Sequence, residues 1–243
     1  MRRLAALFLC AALAACGGGP KLEKLEASAV VLAFGDSLTY GTGANREESY
    51  PAVLERAIGR KVVNAGVPGE TSAQGRERLA EALEEVKPRL LILCHGGNDF
   101  LRRLDEAAAA ENVRAMIRMA REKGVGVVLL ATPKPGLPPS IPTFYGEIAA
   151  EEEIAFEEAA IRTVLFDNRL KSDMVHPNGE GYARIAAAVE KVHRKSGALR
   201  WASASANTSP ARAARSTACA SSTSPGSWPA IPSRRCSPIS APR

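Results

Sequence analysis

Residues 29–38 read AVVLAFGDSL, an apolar run that ends abruptly in a polar turn. Such a run predicts a β-strand buried on both faces, as in a parallel sheet. Similar runs recur along the chain, and segments with helical spacing separate them. The predicted strands are residues 29–34, 61–64, 90–94, 126–131 and 163–166, and the predicted helices are residues 49–58, 73–86, 105–123, 144–159 and 178–195. This alternation predicts a three-layer, doubly wound α/β domain with ligands at the carboxyl ends of the strands.

Four polar motifs lie just after predicted strands, so the predicted fold brings them to one edge of the sheet. They are GDSL at residues 35–38, NAG at 64–66, GGND at 96–99 and DMVH at 173–176. Each motif is ambiguous alone. In this order they supply a nucleophile, donors for an oxyanion, and a general base with its carboxylate, which indicates an esterase.

Ser37 is the predicted nucleophile, and His176 is the base that would take its proton. Asp173 precedes His176 by three residues, so one turn can place the carboxylate on Nδ1–H and leave Nε2 facing Ser37. The alternatives are structural: a helix-capping serine, a turn aspartate and a histidine at a helix start. His193 has basic neighbours on a helix end and is predicted at the surface. His95 has no carboxylate at useful spacing and is predicted to be a spectator or part of the pocket wall.

The predicted oxyanion hole combines the side-chain amide of Asn98 with the backbone N–H groups of Gly66 and Ser37. Gly66 can present its N–H without a side chain that obstructs the substrate. Glycine and asparagine are also common turn residues, which is the alternative for both positions. Asp36 and Asp99 are predicted to brace these loops by hydrogen bonds.

The four segments resemble the conserved blocks of the SGNH (GDSL-type) hydrolase superfamily. The residues that match its four letters are, in order, Ser37, Gly66, Asn98 and His176. Residues 34–45 (FGDSLTYGTGAN) and 64–73 (NAGVPGETSA) look like the subgroup of bacterial periplasmic arylesterases, acyl-CoA thioesterases and lysophospholipases. The resemblance covers most of residues 30–192. It implies a flavodoxin-like sheet of five parallel strands and a Ser–His–Asp mechanism that uses no metal and no other cofactor.

Large apolar residues near the predicted site could line an acyl groove. These candidates are Phe100, Leu101, Leu104, Leu137, Ile141, Phe144 and Tyr145. The alternative is that they only cover the ends of the sheet. An acyl groove would favour fatty-acyl esters, thioesters or lysophospholipids. The second hypothesis is an acetyl esterase that acts on envelope polysaccharide, and a catalytically idle, lipid-anchored binding protein is the hypothesis of a different class.

Residues 1–16 are predicted to be an export signal. Two arginines precede an apolar run, residues 4–13, that is too short to span a bilayer as a mature helix. The sequence that ends at Cys16 resembles the lipobox of bacterial lipoproteins, in which Cys16 would be lipidated and begin the mature chain. Ordinary secretory cleavage near Ala15 is the alternative. Residues 17–28 would then be a tether, and the protein would be membrane-anchored facing the periplasm, or secreted to the periplasm.

Residues 200–243 contain no acidic residue and no apolar periodicity, so this segment is predicted to be a disordered tail. Its Ser, Ala, Pro and Arg composition is also what a GC-rich gene yields in a wrong reading frame. A frameshift after about Leu199 is therefore a second hypothesis for the tail. Residues 29–199 remain, which is the length of one hydrolase domain.

The formal net charge of +6 comes from the two ends of the chain. Residues 17–199 hold all 26 acidic residues and 24 of the 32 basic ones, a net charge of about −2. The sequence therefore predicts no nucleic-acid partner. Cys94 has no cysteine partner in this segment, and the three histidines are isolated, so neither a disulfide nor a metal site is predicted there. The predicted partner is a small acyl ester or thioester, and no oligomeric state is predicted.

Overall fold

In the computed structural model, which describes residues 20–199, the first apolar run forms strand β1 (Val30–Gly35). The other described strands are β2 (Lys61–Gly66), β3 (Leu90–Cys94), β4 (Gly126–Leu130) and β5 (Ala155–Glu157). They pair in parallel in the order β2-β1-β3-β4-β5. The order reverses direction at β1 and β3, and the crevice beyond the carboxyl ends of these two strands is where such sheets bind ligands.

Helices cover both faces of the sheet. Those of the described residues are α1 (Ser37–Tyr40), α2 (Tyr50–Ile58), α3 (Ser72–Val86), α4 (Gly97–Leu101), α5 (Glu106–Glu122), α6 (Phe144–Glu151), α7 (Ala160–Phe166) and α8 (Gly179–Lys195). Alternate residues of β1 enter different cores. Val31 and Ala33 share a core with α2, α7 and α8, while Leu32 and Phe34 share one with α3, α5 and α6. Burial on both faces explains why β1 is apolar throughout, and the predicted three-layer α/β/α fold is confirmed.

The predicted position of the fifth strand is wrong. Residues 163–166 belong to α7, and β5 lies within the segment predicted as a helix at residues 144–159. Helix α6 ends at Glu151, and the chain then turns through Glu153, whose φ is +48°. A three-residue strand is too short to show a period of two, and the apolar residues of α7 are too few to show helical spacing. The other predicted strands and helices are confirmed to within two residues at their ends.

The segment before β1 packs on the domain. The N–H groups of Leu22 and Leu25 donate to the carbonyls of Ser196 and Ala198 at 2.8 and 2.9 Å, and Leu25 is buried. The prediction of a tether at residues 17–28 is therefore wrong for its described part. None of the helices within residues 20–199 is long and apolar enough to cross a bilayer. The predicted export signal, the lipidation at Cys16 and the predicted tail lie outside the described residues.

Candidate active site

Ser37 lies directly beyond the carboxyl end of β1, on the first turn of α1. Its Oγ is 3.0 Å from Nε2 of His176, and Nδ1 of His176 is 2.7 Å from Oδ2 of Asp173. The three side chains form a continuous hydrogen-bonded chain from hydroxyl to carboxylate. Such a chain can move the serine proton to the imidazole while the carboxylate fixes the ring and its tautomer.

The turn that carries His176 is organised by the carboxylate of Asp173. Its Oδ1 accepts the backbone N–H groups of Val175 and His176, each at 2.8 Å, while Oδ2 meets the imidazole. Burial raises the pKa of Asp173, but the hydrogen bonds from the ring and the two N–H groups outweigh it and hold the pKa below its usual value. The carboxylate is therefore ionised at neutral pH, as an orienting group must be.

On the other side of Ser37, Asp36 is buried and joins α1 to the segment after β3. Its Oδ1 accepts the N–H of Leu38 at 3.0 Å, and its Oδ2 accepts Nδ2 of Asn98 at 3.1 Å. Burial is the largest influence on this carboxyl group and raises its pKa. Asp99 binds the next loop, because its carboxylate accepts the N–H and the hydroxyl of Ser72 at 2.8 and 2.7 Å. These are the bonds expected of two bracing residues.

Asn98 lies in α4 and lines the same cavity as Ser37. Besides its bond to Asp36, its Nδ2 donates to the backbone carbonyl of Glu70 at 3.0 Å. Two acceptors from different segments thus fix the direction of this amide. The structure brings Asn98 and Ser37 to the wall of one cavity, as the sequence predicts.

Gly66, the last residue of β2, and Gly69, in the loop between β2 and α3, differ in what their N–H groups can donate to. The N–H of Gly66 donates to Oδ1 of Asn64 at 3.0 Å, and a Cβ on Gly66 would lie 2.1 Å from the backbone nitrogen of Tyr40. Gly66 therefore allows α1 to pack against β2, and its N–H already has a partner, which weighs against the predicted oxyanion role. Gly69 has a φ of +80°, and among the described residues its N–H meets no acceptor.

Gly69 is not among the oxyanion donors predicted from the sequence, although the sequence carries a signal for it. Pro68 and Gly69 occupy the centre of a turn that is closed by a bond of 3.1 Å from the N–H of Glu70 to the carbonyl of Val67. Proline followed by glycine with positive φ is typical of a type II turn. In such a turn the N–H of the glycine points outward and is available to a ligand.

A cavity of about 690 Å³ opens beside Ser37, Asn98 and His176. Most of its wall is apolar and comes from the loop after β4, the end of α7 and the turn before His176. The apolar wall residues are Leu38, Leu101, Pro133, Pro135, Leu137, Pro139, Leu165, Phe166, Met174 and Val175. Lys134 and Lys171 also line it. The volume and lining are those of a site for a small organic molecule.

Only Leu101 and Leu137 of the predicted acyl-groove residues line this cavity. The prediction is wrong for Phe100, Leu104, Ile141, Phe144 and Tyr145. Four of these pack into or against the core on the α5 side of the sheet, and Leu104 is exposed outside the cavity. The hydroxyl of Tyr145, for example, donates to the carbonyl of His95 at 2.6 Å. Leu165 and Phe166 line the cavity instead. Both lie in residues 163–166, the segment that was wrongly predicted to be the fifth strand.

The two other histidines are both buried. His95 does not line the cavity; its Nε2 lies 3.3 Å from Oε2 of Glu70, and its ring packs 5.4 Å from that of Phe34. The prediction of a surface His193 is wrong, because the chain folds back over the end of α8 and the N–H of Leu199 donates to the carbonyl of His193. Burial lowers the pKa of His193 to about 4.

Cys94 is a buried thiol in β3 with no disulfide partner among the described residues, and burial raises its pKa. Within residues 20–199, no group of three or more His, Cys, Asp or Glu side chains is arranged to hold a metal ion.

Comparisons with known proteins agree with this geometry. The model of the GDSL-like lipase/acylhydrolase family matches residues 33–184, which include the four polar motifs. Esterase TesA of Pseudomonas aeruginosa is 32% identical over 170 residues, or 64% of this chain and 83% of the relative. Thioesterase 1/protease 1/lysophospholipase L1 of Escherichia coli K12 is 26% identical over 171 residues, or 67% and 82%. A crystal structure of TesA superposes with a TM-score of 0.60 at 28% identity, over 68% of this chain and 98% of that one. The chain therefore belongs to the GDSL-like lipase/acylhydrolase family of ester hydrolases.

Proposed function

We propose that the protein is a serine esterase that cleaves carboxylic ester or thioester bonds of acyl substrates through a covalent acyl-enzyme. The observation that carries the proposal is the unbroken chain of hydrogen bonds from Ser37 through His176 to Asp173, on the wall of an apolar cavity. A serine hydroxyl becomes an effective nucleophile when an oriented base takes its proton during attack.

Acylation begins when Nε2 of His176 takes the proton of Ser37 and Oγ attacks the carbonyl carbon. The tetrahedral intermediate collapses as His176 gives that proton to the leaving alcohol or thiol, and the acyl group stays on Oγ. In deacylation, His176 takes a proton from water, and the resulting hydroxide adds to the acyl carbon. The carboxylic acid leaves as Oγ recovers its proton. Asp173 stays ionised and stabilises the imidazolium in both halves.

The oxyanion of each tetrahedral intermediate needs donors that are already in place. We assign the backbone N–H of Ser37, the side-chain amide of Asn98 and the backbone N–H of Gly69. Gly69 replaces Gly66 in this assignment because the N–H of Gly66 is bonded to Asn64. In the free protein the Asn98 amide is bonded to two acceptors, so an oxyanion must share or displace one of these bonds.

The size and lining of the cavity favour substrates with medium or long acyl chains. Its wall offers an alkyl chain an apolar surface, and an acetyl group would fill only a small part of about 690 Å³. An acetyl esterase of envelope polysaccharide is therefore less well supported. One relative carries the names thioesterase and lysophospholipase, both of which denote acyl substrates. A catalytically idle binding protein would not need an unbroken chain of hydrogen bonds from the Ser37 hydroxyl to the Asp173 carboxylate, so that hypothesis is also less well supported.

We also propose export and a lipid anchor at Cys16 that holds the enzyme at a membrane facing the periplasm. The support is the sequence of residues 1–16 alone. Mass spectrometry of the mature protein tests it, and the expected N-terminus is a lipid-modified Cys16. A mature chain that begins elsewhere, or an unmodified Cys16, would contradict it.

Hydrolysis of p-nitrophenyl esters from acetate to palmitate tests the enzymatic proposal. The expected result is activity that requires Ser37, peaks at medium or long chains and is absent from Ser37→Ala. A sharp optimum at acetate would favour the second hypothesis, an acetyl esterase that acts on envelope polysaccharide. No Ser37-dependent turnover at any length, together with no labelling of Ser37 by a fluorophosphonate, would refute the esterase.

A further inference from the structure

A buried ion pair lies next to the proposed oxyanion donors. The carboxylate of Glu70 is 6% exposed and receives the guanidinium of Arg78 in two parallel bonds, Nε to Oε1 and Nη2 to Oε2, both of 2.7 Å. The guanidinium is itself held, because Nη2 also donates to the carbonyl of Ala65 at 3.0 Å and the group lies 4.0 Å above the ring of Phe34. Two parallel bonds fix the orientation of both groups and not only their distance.

The environment keeps this carboxylate charged. Burial raises the pKa of Glu70, but the bonds from Arg78 and the nearby His95 outweigh it and lower the pKa to about 2. The mechanism proposed above uses neither Glu70 nor Arg78 for proton transfer. Neither side chain lines the cavity. A charge that is buried, fully paired and chemically idle needs another explanation.

The backbone of Glu70 supplies that explanation. Its carbonyl accepts Nδ2 of Asn98 at 3.0 Å, and its N–H closes the turn that contains Gly69. The carbonyl of Gly69 is held in turn by Nη2 of Arg102 at 2.6 Å. The segment at residues 69–70 thus touches one proposed oxyanion donor and contains another, and the side chain of Glu70 ties it to α3.

We propose that Glu70 is a positioning residue of the oxyanion hole: Arg78 anchors its side chain, and its carbonyl thereby fixes the amide of Asn98. The inference rests on the proposed function and adds a residue to it. A displaced carbonyl would turn the Asn98 amide away from the oxyanion. The transition state would lose stabilisation while the bound substrate would not, so kcat should fall and KM should stay nearly constant.

A double-mutant cycle on kcat separates this role from a merely structural one. In the wild-type background, Glu70→Gln should lower kcat roughly 10- to 50-fold, less than the loss of a whole oxyanion donor. In the Asn98→Ala background the same substitution should lower kcat less than about twofold, because the group it positions is gone. Equal losses in the two backgrounds would overturn the inference.

Glu152→Gln is the matched control. Glu152 is 12% exposed and also binds arginine, with Arg118 and Arg121 at 2.9 and 3.0 Å, but it precedes β5 at the opposite end of the sheet. It should lower the melting temperature as Glu70→Gln does and leave kcat within about twofold. A comparable loss of kcat in Glu152→Gln would reveal general destabilisation and overturn the inference.

If Glu70→Gln fails to fold, Arg78→Lys carries the same cycle, since it keeps the charge and removes the two parallel bonds. It should lower kcat several-fold, again only while Asn98 is present. Wild-type protein without Ser37-dependent turnover would refute the proposed function and this inference together. Wild-type turnover with additive losses would refute this inference alone.

Discussion

On one side of Ser37, the loop that carries Asp173 and His176 borders solvent, whereas on the other side Asp36, Glu70 and Asn98 form a polar network within the fold. The first group is called the base loop (residues 173–176) and the second the donor network (Asp36, Glu70 and Asn98). The side chain of Asp173 is 52% exposed and has a lowered pKa, while Asp36 is 1% exposed and burial raises its pKa.

The roles proposed for the two groups account for the difference. A base that activates water in deacylation has to lie next to water, and its carboxylate must remain ionised. Donors for an oxyanion are most effective when they are fixed in direction before charge develops and are shielded from solvent. Ser37 therefore has an accessible group on one side and an enclosed one on the other.

Removing the proposed nucleophile or its base should produce the largest effect. Ser37→Ala and His176→Ala should each lower kcat by a factor on the order of 10⁴–10⁶, because attack loses either its nucleophile or its base. Steady-state kinetics on the best p-nitrophenyl ester measures this, with circular dichroism to show that both variants are folded. Near-normal turnover of Ser37→Ala, in a preparation free of host esterase, would contradict the assignment.

Removing a proposed oxyanion donor from the donor network should lower kcat by a smaller factor. Asn98→Ala should lower kcat about 10²–10³-fold with little change in KM, the usual cost of one oxyanion donor. Asn112→Ala is a suitable control, because its amide donates to the hydroxyl of Ser72 at 3.1 Å and the residue does not line the cavity. We expect that control to retain kcat within about threefold. Equal losses in the two variants would mean that Asn98 acts through stability.

Much of this contrast was predictable from residues that are close in sequence. Asp173 precedes His176 by three positions, and that spacing is sufficient for one carboxylate to bind two backbone N–H groups and the ring. Long apolar strands such as β1 and β3 were equally clear, since burial on both faces leaves a continuous apolar run.

The cavity wall and the donor network depend on contacts between distant segments, which no local pattern encodes. Phe100 lies two residues after Asn98 yet points into the core, because α4 turns it away from the cavity. Phe166 reaches the cavity only because residues 163–166 are helical and not a strand. The role proposed for Glu70 depends on its contact with Arg78, which the sequence presents only as one more charge on α3.

The negative charge of Glu70, in the donor network, should make the free energy of unfolding depend on pH. The pKa of Glu70 is about 2 in the fold against an ordinary 4.5, so ionisation of this group stabilises the folded state above pH 4.5. That contribution is lost as the pH falls from 4.5 towards 2. We expect Glu70→Gln to lower the free energy of unfolding by about 1–2 kcal/mol near pH 7, after allowance for partial solvent screening, and by less near pH 3. Urea unfolding at both pH values measures this, and a constant difference would contradict it.

The smallest effect should come from the cavity wall, which belongs to neither side of Ser37. Leu101 and Leu104 are both 49% exposed, but only Leu101 lines the cavity. Leu101→Ala should lower kcat/KM for decanoate roughly 3- to 10-fold and leave acetate unchanged, because it removes apolar contact with the alkyl chain alone. Leu104→Ala should change neither ester by more than about twofold, since the same side chain is lost outside the cavity. The loss in Leu101→Ala should lie mainly in KM, as expected for contact made equally in the ground state and the transition state. An equal loss in Leu104→Ala, or a loss for acetate as large as for decanoate, would place the alkyl chain elsewhere on the surface.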